Sequence, residues 1–134
     1  MDNEQHCKDI AERLHKIATG KAYIVNGDFV YDEDLTDEER RIVGECDDPC
    51  EGNGREATIE DFFQDWFDLT FQVNIDKEYL HCCVCIAWGG PNIYIDTGTG
   101  YVELYWWGSS AKASLSEAAT KAVDEFFKEY YNCI

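Results

Sequence analysis

The chain is poor in cations. It has 11 Lys and Arg against 28 Asp and Glu, a net charge of −17 at pH 7 in 134 residues. That imbalance excludes a generic grip on nucleic acid or anionic membrane, since both need basic patches. A partner is expected to be a basic protein surface instead. No apolar run approaches the roughly 20 residues that span a bilayer. The opening "MDNEQHCKDI" has neither the basic nor the apolar region of an export leader. Seven cysteines, an odd number, then point to reduced thiols and a cytoplasmic setting rather than a disulfide framework.

The motifs of common chemistry are also missing. There is no G-x-S-x-G, phosphate loop, H-E-x-x-H or dinucleotide fingerprint. The chain is therefore not expected to be an enzyme. His81 falls inside a strand pattern, and a Cys–His pairing would need convergence that spacing does not supply. Cys46 and Cys50 are separated by three residues including Pro49, unlike the usual zinc knuckle. In a strand Cys82 points away from Cys83 and Cys85, so that triplet cannot converge on one ion. Small buried hydrophobes are the simpler reading of these thiols. The Asp32–Glu39 stretch lacks the glycine and spacing of a calcium loop. No metal or cofactor is expected.

What the chain does have is a folded composition. With 45% hydrophobic and 14% aromatic residues it is far from the disordered class, and its length suits one domain over 1–134. Cys7, Ile10, Leu14 and Ile17 recur at helical spacing, which predicts a helix over 3–18 capped near Gly20. Asn26-Gly27 between two short β-rich runs predicts a hairpin at 22–31. Thr36 and Glu39 form a capping-box pattern ahead of a short helix at about 37–45, and 45–56 reads as a loop. Thr58 opens a second helix with Ile59, Phe62, Phe63 and Trp66 on its apolar face.

Alternation then takes over. Phe67, Leu69, Phe71, Val73 and Ile75 predict a half-buried strand, and 79–88 is apolar on both parities, as in a central strand. Two further strands follow around "TGTG". A last helix is expected from Ser114, with Glu117 completing the cap and Leu115, Ala119, Ala122, Val123, Phe126 and Tyr130 as its stripe. The expected fold is α+β: a four-stranded antiparallel meander over about 67–107, packed by N- and C-terminal helices, with a small acidic hairpin and helix inserted.

Two sets of residues stand out as candidate partner-binding sites. Residues 1–61 hold 18 of the 28 carboxylates, and Asp32, Glu33, Asp34, Asp37, Glu38, Glu39, Asp47 and Asp48 are the densest of them. Tyr94, Tyr101, Tyr105 and Trp107 share one strand parity and so one expected sheet face, of the kind enriched at interface hot spots.

A small, strongly acidic chain without a catalytic motif resembles the inhibitors carried by phages and mobile elements, of the anti-CRISPR and antirestriction type. "AWGGPNIYIDTGTGYVELYWW" (87–107) and "SLSEAATKAVDEFFKEYY" (114–131) resemble small proteins of bacterial mobile elements. The resemblance carries no individual functional residue. It implies an inhibitor, in the cytoplasm of a bacterial host, that presents a nucleic-acid-mimicking acidic surface to the basic groove of a nuclease or CRISPR effector. The carboxylates crowd into the first half, which departs from mimics that spread them along the molecule. The alternative is a small adaptor that binds one partner through the aromatic sheet face.

Overall fold

A computed structural model of the chain describes residues 2–45 and 54–134. The first helix, α1, spans Asn3–Ala18, and Asp2 caps it by accepting the Glu4 N–H at 3.0 Å. Cys7, Ala11, Leu14 and Ile17 form its buried stripe, at the spacing that puts residues on one helix face. After Thr19, the Gly20 N–H donates to the Ile17 carbonyl and the Lys21 N–H to that of Lys16, the paired Schellman ending.

The hairpin follows as expected. Strands β1 (Ala22–Val25) and β2 (Asp28–Tyr31) are joined by Asn26 and Gly27, with φ of 52° and 87°. A two-residue turn of this hand needs positive φ at both positions, which Asn-Gly adopts readily. A 3₁₀ turn (Asp32–Asp34) and helix α2 (Asp37–Glu45) come next. The short β3 (Arg55–Glu56) then pairs with the free side of β1, giving an antiparallel sheet ordered β2-β1-β3.

The third helix is shorter than its pattern. Helix α3 spans only Ile59–Phe62, although Thr58 and Asp61 make a full capping box. The chain leaves the helix at Phe63, and this lets Phe63 enter the core beside Phe62. Phe63 meets Phe127 edge-on at 5.0 Å between centroids, and Trp66 meets Phe127 at 5.4 Å. Arg55 grips Asp61 with both guanidinium nitrogens at 2.6 Å, tying β3 to α3.

The larger sheet is a meander of five strands, not four: β4 (Asp68–Val73), β5 (Tyr79–Ala87), β6 (Asn92–Asp96), β7 (Tyr101–Trp106) and β8 (Ser109–Ser114). The added strand β8 reads "SSAKAS", small and polar residues that carry little strand signal by themselves. Its pairing with β7 sets Ala113 opposite Val102 and Ala111 opposite Leu104. Ser114 is therefore a strand residue. The C-terminal helix α4 (Glu117–Asn132) is capped by Ser116, whose hydroxyl accepts the Ala119 N–H.

Helix α1 lies over β7 and β8, and α4 over β5. Between helices and sheet lie Leu14, Val84, Ile95, Val102, Leu104, Val123 and Phe127, all fully buried. Phe127 rather than Tyr130 completes the buried α4 stripe; Tyr130 is 43% exposed and packs edge-on against Trp66. Two irregularities in β5 leave Leu80 and Ile86 without register partners. Each extra residue resets the alternation. Cys82 and Val84 face the helices and Cys85 is buried on the other side, while Leu80 and Trp88 at the strand ends are exposed. In β4, Leu69 and Phe71 reach the core, but Phe67, Val73 and Ile75 project at the ends. A smaller cluster of Ile17, Ala22, Ile24 and Ala57 holds the three-stranded sheet, and Ile59 and Phe62 pack against both clusters.

Two measurements check this packing. Phe127→Ala should cost about 3–5 kcal/mol in urea denaturation, as for other fully buried phenylalanines. The Arg55 fork holds the Asp61 carboxyl below the usual range, with burial opposing. A depressed folded pKa gives stability that is complete above the ordinary value of about 3.9 and lost as pH falls through the folded value. Asp61→Asn should therefore lower stability at neutral pH and flatten its decline below pH ~4.

Candidate functional site

The acidic cluster sits on ordered backbone. Thr36 and Glu39 bond reciprocally, the Thr36 N–H to the Glu39 carboxylate at 2.9 Å and the Glu39 N–H to the Thr36 hydroxyl at 3.1 Å. Arg40 reaches back to the 3₁₀ turn and donates to the Asp32 carbonyl at 2.7 Å. Its other nitrogen lies 3.5 Å from the Asp32 carboxylate, and Lys16 of α1 lies 3.2 Å from Glu33. Asp32, Glu33 and Glu39 thus have partners inside the chain. Asp34, Asp37 and Glu38 are exposed, and no hydrogen bond or ion pair engages them among the described residues. Asp47 and Asp48 lie outside the described residues, as do Cys46, Pro49 and Cys50.

Three of the four candidate aromatics share the sheet face turned away from the helices. Register sets Tyr94 opposite Glu103, Tyr101 opposite Asp96 and Tyr105 opposite Asn92. The Tyr94 and Tyr105 rings meet edge-on at 6.1 Å. Lys112 of β8 lies over the Tyr101 ring, 4.4 Å from its centroid. The Tyr105 hydroxyl donates to Glu103, and this bond is the main reason its pKa is raised. Trp107 does not join this face. It stands in the β7–β8 turn with φ of 49°.

The N-terminal segment borders this face without sealing it. Asp2, Asn3 and Glu4 line a cleft of about 910 Å³ together with Tyr101, Glu103 and Tyr105. The same helix meets the acidic cluster at its other end, through Lys16 and Glu33. At 1.5 Å per residue, Glu4 and Lys16 are roughly 18 Å apart along α1. The acidic cluster and the tyrosine face are therefore separate surfaces, with α1 between them.

The thiols and His81 show what catalysis would have to start from. Burial pushes the Cys82 thiol up to about 11 and the Cys83 thiol to about 11, so neither is a thiolate at neutral pH. His81 Nδ1 lies 3.5 Å from Asp124 and makes no hydrogen bond among the described residues. The Tyr79 hydroxyl donates to the other Asp124 oxygen at 2.7 Å. Among the described residues, no three His, Cys, Asp or Glu side chains group so as to hold a metal ion. No helix among them is long and apolar enough to cross a membrane.

Sequence reasoning missed one group altogether. Phe67, Trp88 and Trp106, on three separate stretches, are exposed at the sheet end that also carries Trp107. The alternation that put Phe67 on the apolar side of a half-buried strand is sound within a strand. It fails at strand ends, where Phe67, Trp88 and Trp106 stay exposed.

Removing Glu103 should release Tyr105. In Glu103→Ala the Tyr105 titration, followed by NMR of the labelled ring, is expected to move down toward the ordinary value of about 10. No protein-family model matches this chain, and comparison with curated proteins and with solved structures gave no significant match.

Proposed function

We propose that this chain is a binding protein, not a catalyst, that inhibits a bacterial nucleic-acid-targeting defence complex. On this reading it works in the host cytoplasm and lays its acidic surface into a basic groove of a nuclease or CRISPR effector. The observation that carries the reading is the presentation of Asp34, Asp37 and Glu38, exposed and without a side-chain partner among the described residues, on a segment pinned by the Thr36–Glu39 box and the Arg40 contact. Carboxylates on restrained backbone lose little entropy on docking. A groove evolved for phosphates would attract them over a long range and discriminate by spacing at short range.

A second reading rests on the tyrosine face. The open cleft beside Tyr101, Glu103 and Tyr105 suits an adaptor that grips one partner through aromatic contacts, with acid serving solubility.

Salt separates the two. Capture of a purified effector should weaken steeply between low and high ionic strength if carboxylates dominate, and barely change if the aromatic face does. Reversing Asp34, Asp37 and Glu38 to Lys together should cost at least about tenfold in affinity, some 1.4 kcal/mol. Glu39 is left intact in that variant because it caps α2. Unchanged capture by the triple variant would remove the acidic cluster from the mechanism.

A further inference from the structure

The turn between β7 and β8 carries a tryptophan where its backbone disfavours one. Trp107 and Gly108 are its two central residues, closed by the Trp106–Ser109 pair, with φ of 49° and 78°. Such turns select Asn, Asp or Gly at the first position, as the chain itself does at Asn26-Gly27. A bulky side chain there crowds its own backbone and is a genuine outlier. The ring gives the fold little in return. It is 91% exposed, and no ring contact or hydrogen bond engages it among the described residues. Strain of this kind, kept without a structural gain, points to a role outside the chain.

Trp107 has company. Phe67 precedes β4 and donates its N–H to Cys85 near the end of β5. Trp88 follows β5 and Trp106 ends β7, and antiparallel order brings all of these to one end of the sheet. Phe67 and Trp88 are 66% and 61% exposed. A cleft of about 510 Å³ opens there between the 89–92 loop and the turn, with Tyr105, Trp106 and Trp107 on its lining.

Charge decides what fits. No Lys or Arg occurs between Arg55 and Lys77 or between Lys77 and Lys112, the stretches that supply every one of these rings. The carboxylates nearest in sequence are Asp65, Asp68 and Glu103. A second copy would bring a further charge of −17 against the first, and nucleic acid is repelled for the same reason. A cation is favoured by both the field and the ring faces, and indole is the best aromatic partner for one. The chain already makes this contact internally, with Arg13 over Phe29 at 4.8 Å and Lys112 over Tyr101 at 4.4 Å.

We propose that the Trp106–Trp107 end of the sheet docks an arginine-bearing segment of a partner protein, the guanidinium lying over an indole face. This deepens the reading of the chain as a protein-binding inhibitor and rests on it, but uses none of the α2 carboxylates.

The test uses the full chain and a capped peptide, Gly-Arg-Gly-Gly-Arg-Gly, in high salt, where long-range attraction is screened to well under 10 Å. Indole N–H shifts in NMR report binding. The Trp107 signal should move with this peptide and not with its Gln-for-Arg counterpart. Trp107→Asn should weaken binding at least fivefold while its thermal midpoint stays equal or rises, because Asn suits the turn. Reversal of Asp37 and Glu38 should leave the peptide affinity unchanged. Equal binding by Trp107→Asn, equal binding of the Gln peptide, or a Trp107 response to phosphatidylcholine vesicles or maltohexaose in place of the peptide would each overturn the proposal. Such a result beside intact, salt-sensitive capture of an effector would leave the acidic reading standing.

Discussion

Burial of one face of the five-stranded sheet beneath α1 and α4 is the constraint on which the rest depends. Phe127 stands at its centre, touched by the rings of Phe63 and Trp66 from the segment that follows α3 and by Phe126 of α4 itself. Everything apolar that the helices can reach goes there. What they do not cover is left for solvent or a partner: the opposite sheet face, the strand ends and the acidic outer surface of the 3₁₀ turn and α2. Both candidate surfaces are defined by that exclusion. Helix α1 also separates them, since its first turn borders the tyrosine cleft and its last turn roots the three-stranded sheet.

The charge is accommodated by placement rather than by pairing. Lys16–Glu33 and Arg40–Asp32 are ion pairs with exposed carboxylates, a class worth little to stability. Arg55–Asp61 differs, being bidentate with the carboxylate only 11% exposed. It joins the small sheet to α3, and α3 joins both cores through Ile59 and Phe62. Among the described residues, this bidentate ion pair thus sits where the acidic module meets the body. Most of the other described carboxylates are exposed, at little cost because water solvates them. That arrangement leaves the negative field available to a partner.

Much of the fold was legible because its signals are local. The α1 stripe, the Asn26-Gly27 turn and the Thr36–Glu39 box each depend on residues within a few positions of one another, and each stands where the pattern put it. Strand β8 was not legible, because "SSAKAS" becomes a strand only through its pairing with β7. The same pairing took Ser114 away from the helix and passed the cap to Ser116. Helix α3 stopped early because Phe63 is held by Phe127, a residue 64 positions away.

The sequence by itself determined the sign of the surface, the type of most elements and the parity that puts Tyr94, Tyr101 and Tyr105 on one face. Those follow from composition and short-range periodicity. Only tertiary structure decided which of the described acids find partners, that the acidic and tyrosine surfaces lie apart, and that Phe67, Trp88, Trp106 and Trp107 lie at one sheet end. Each of these depends on where a helix ends or a neighbouring strand lies. Alternation within a strand can name a face, but it cannot say whether anything covers it.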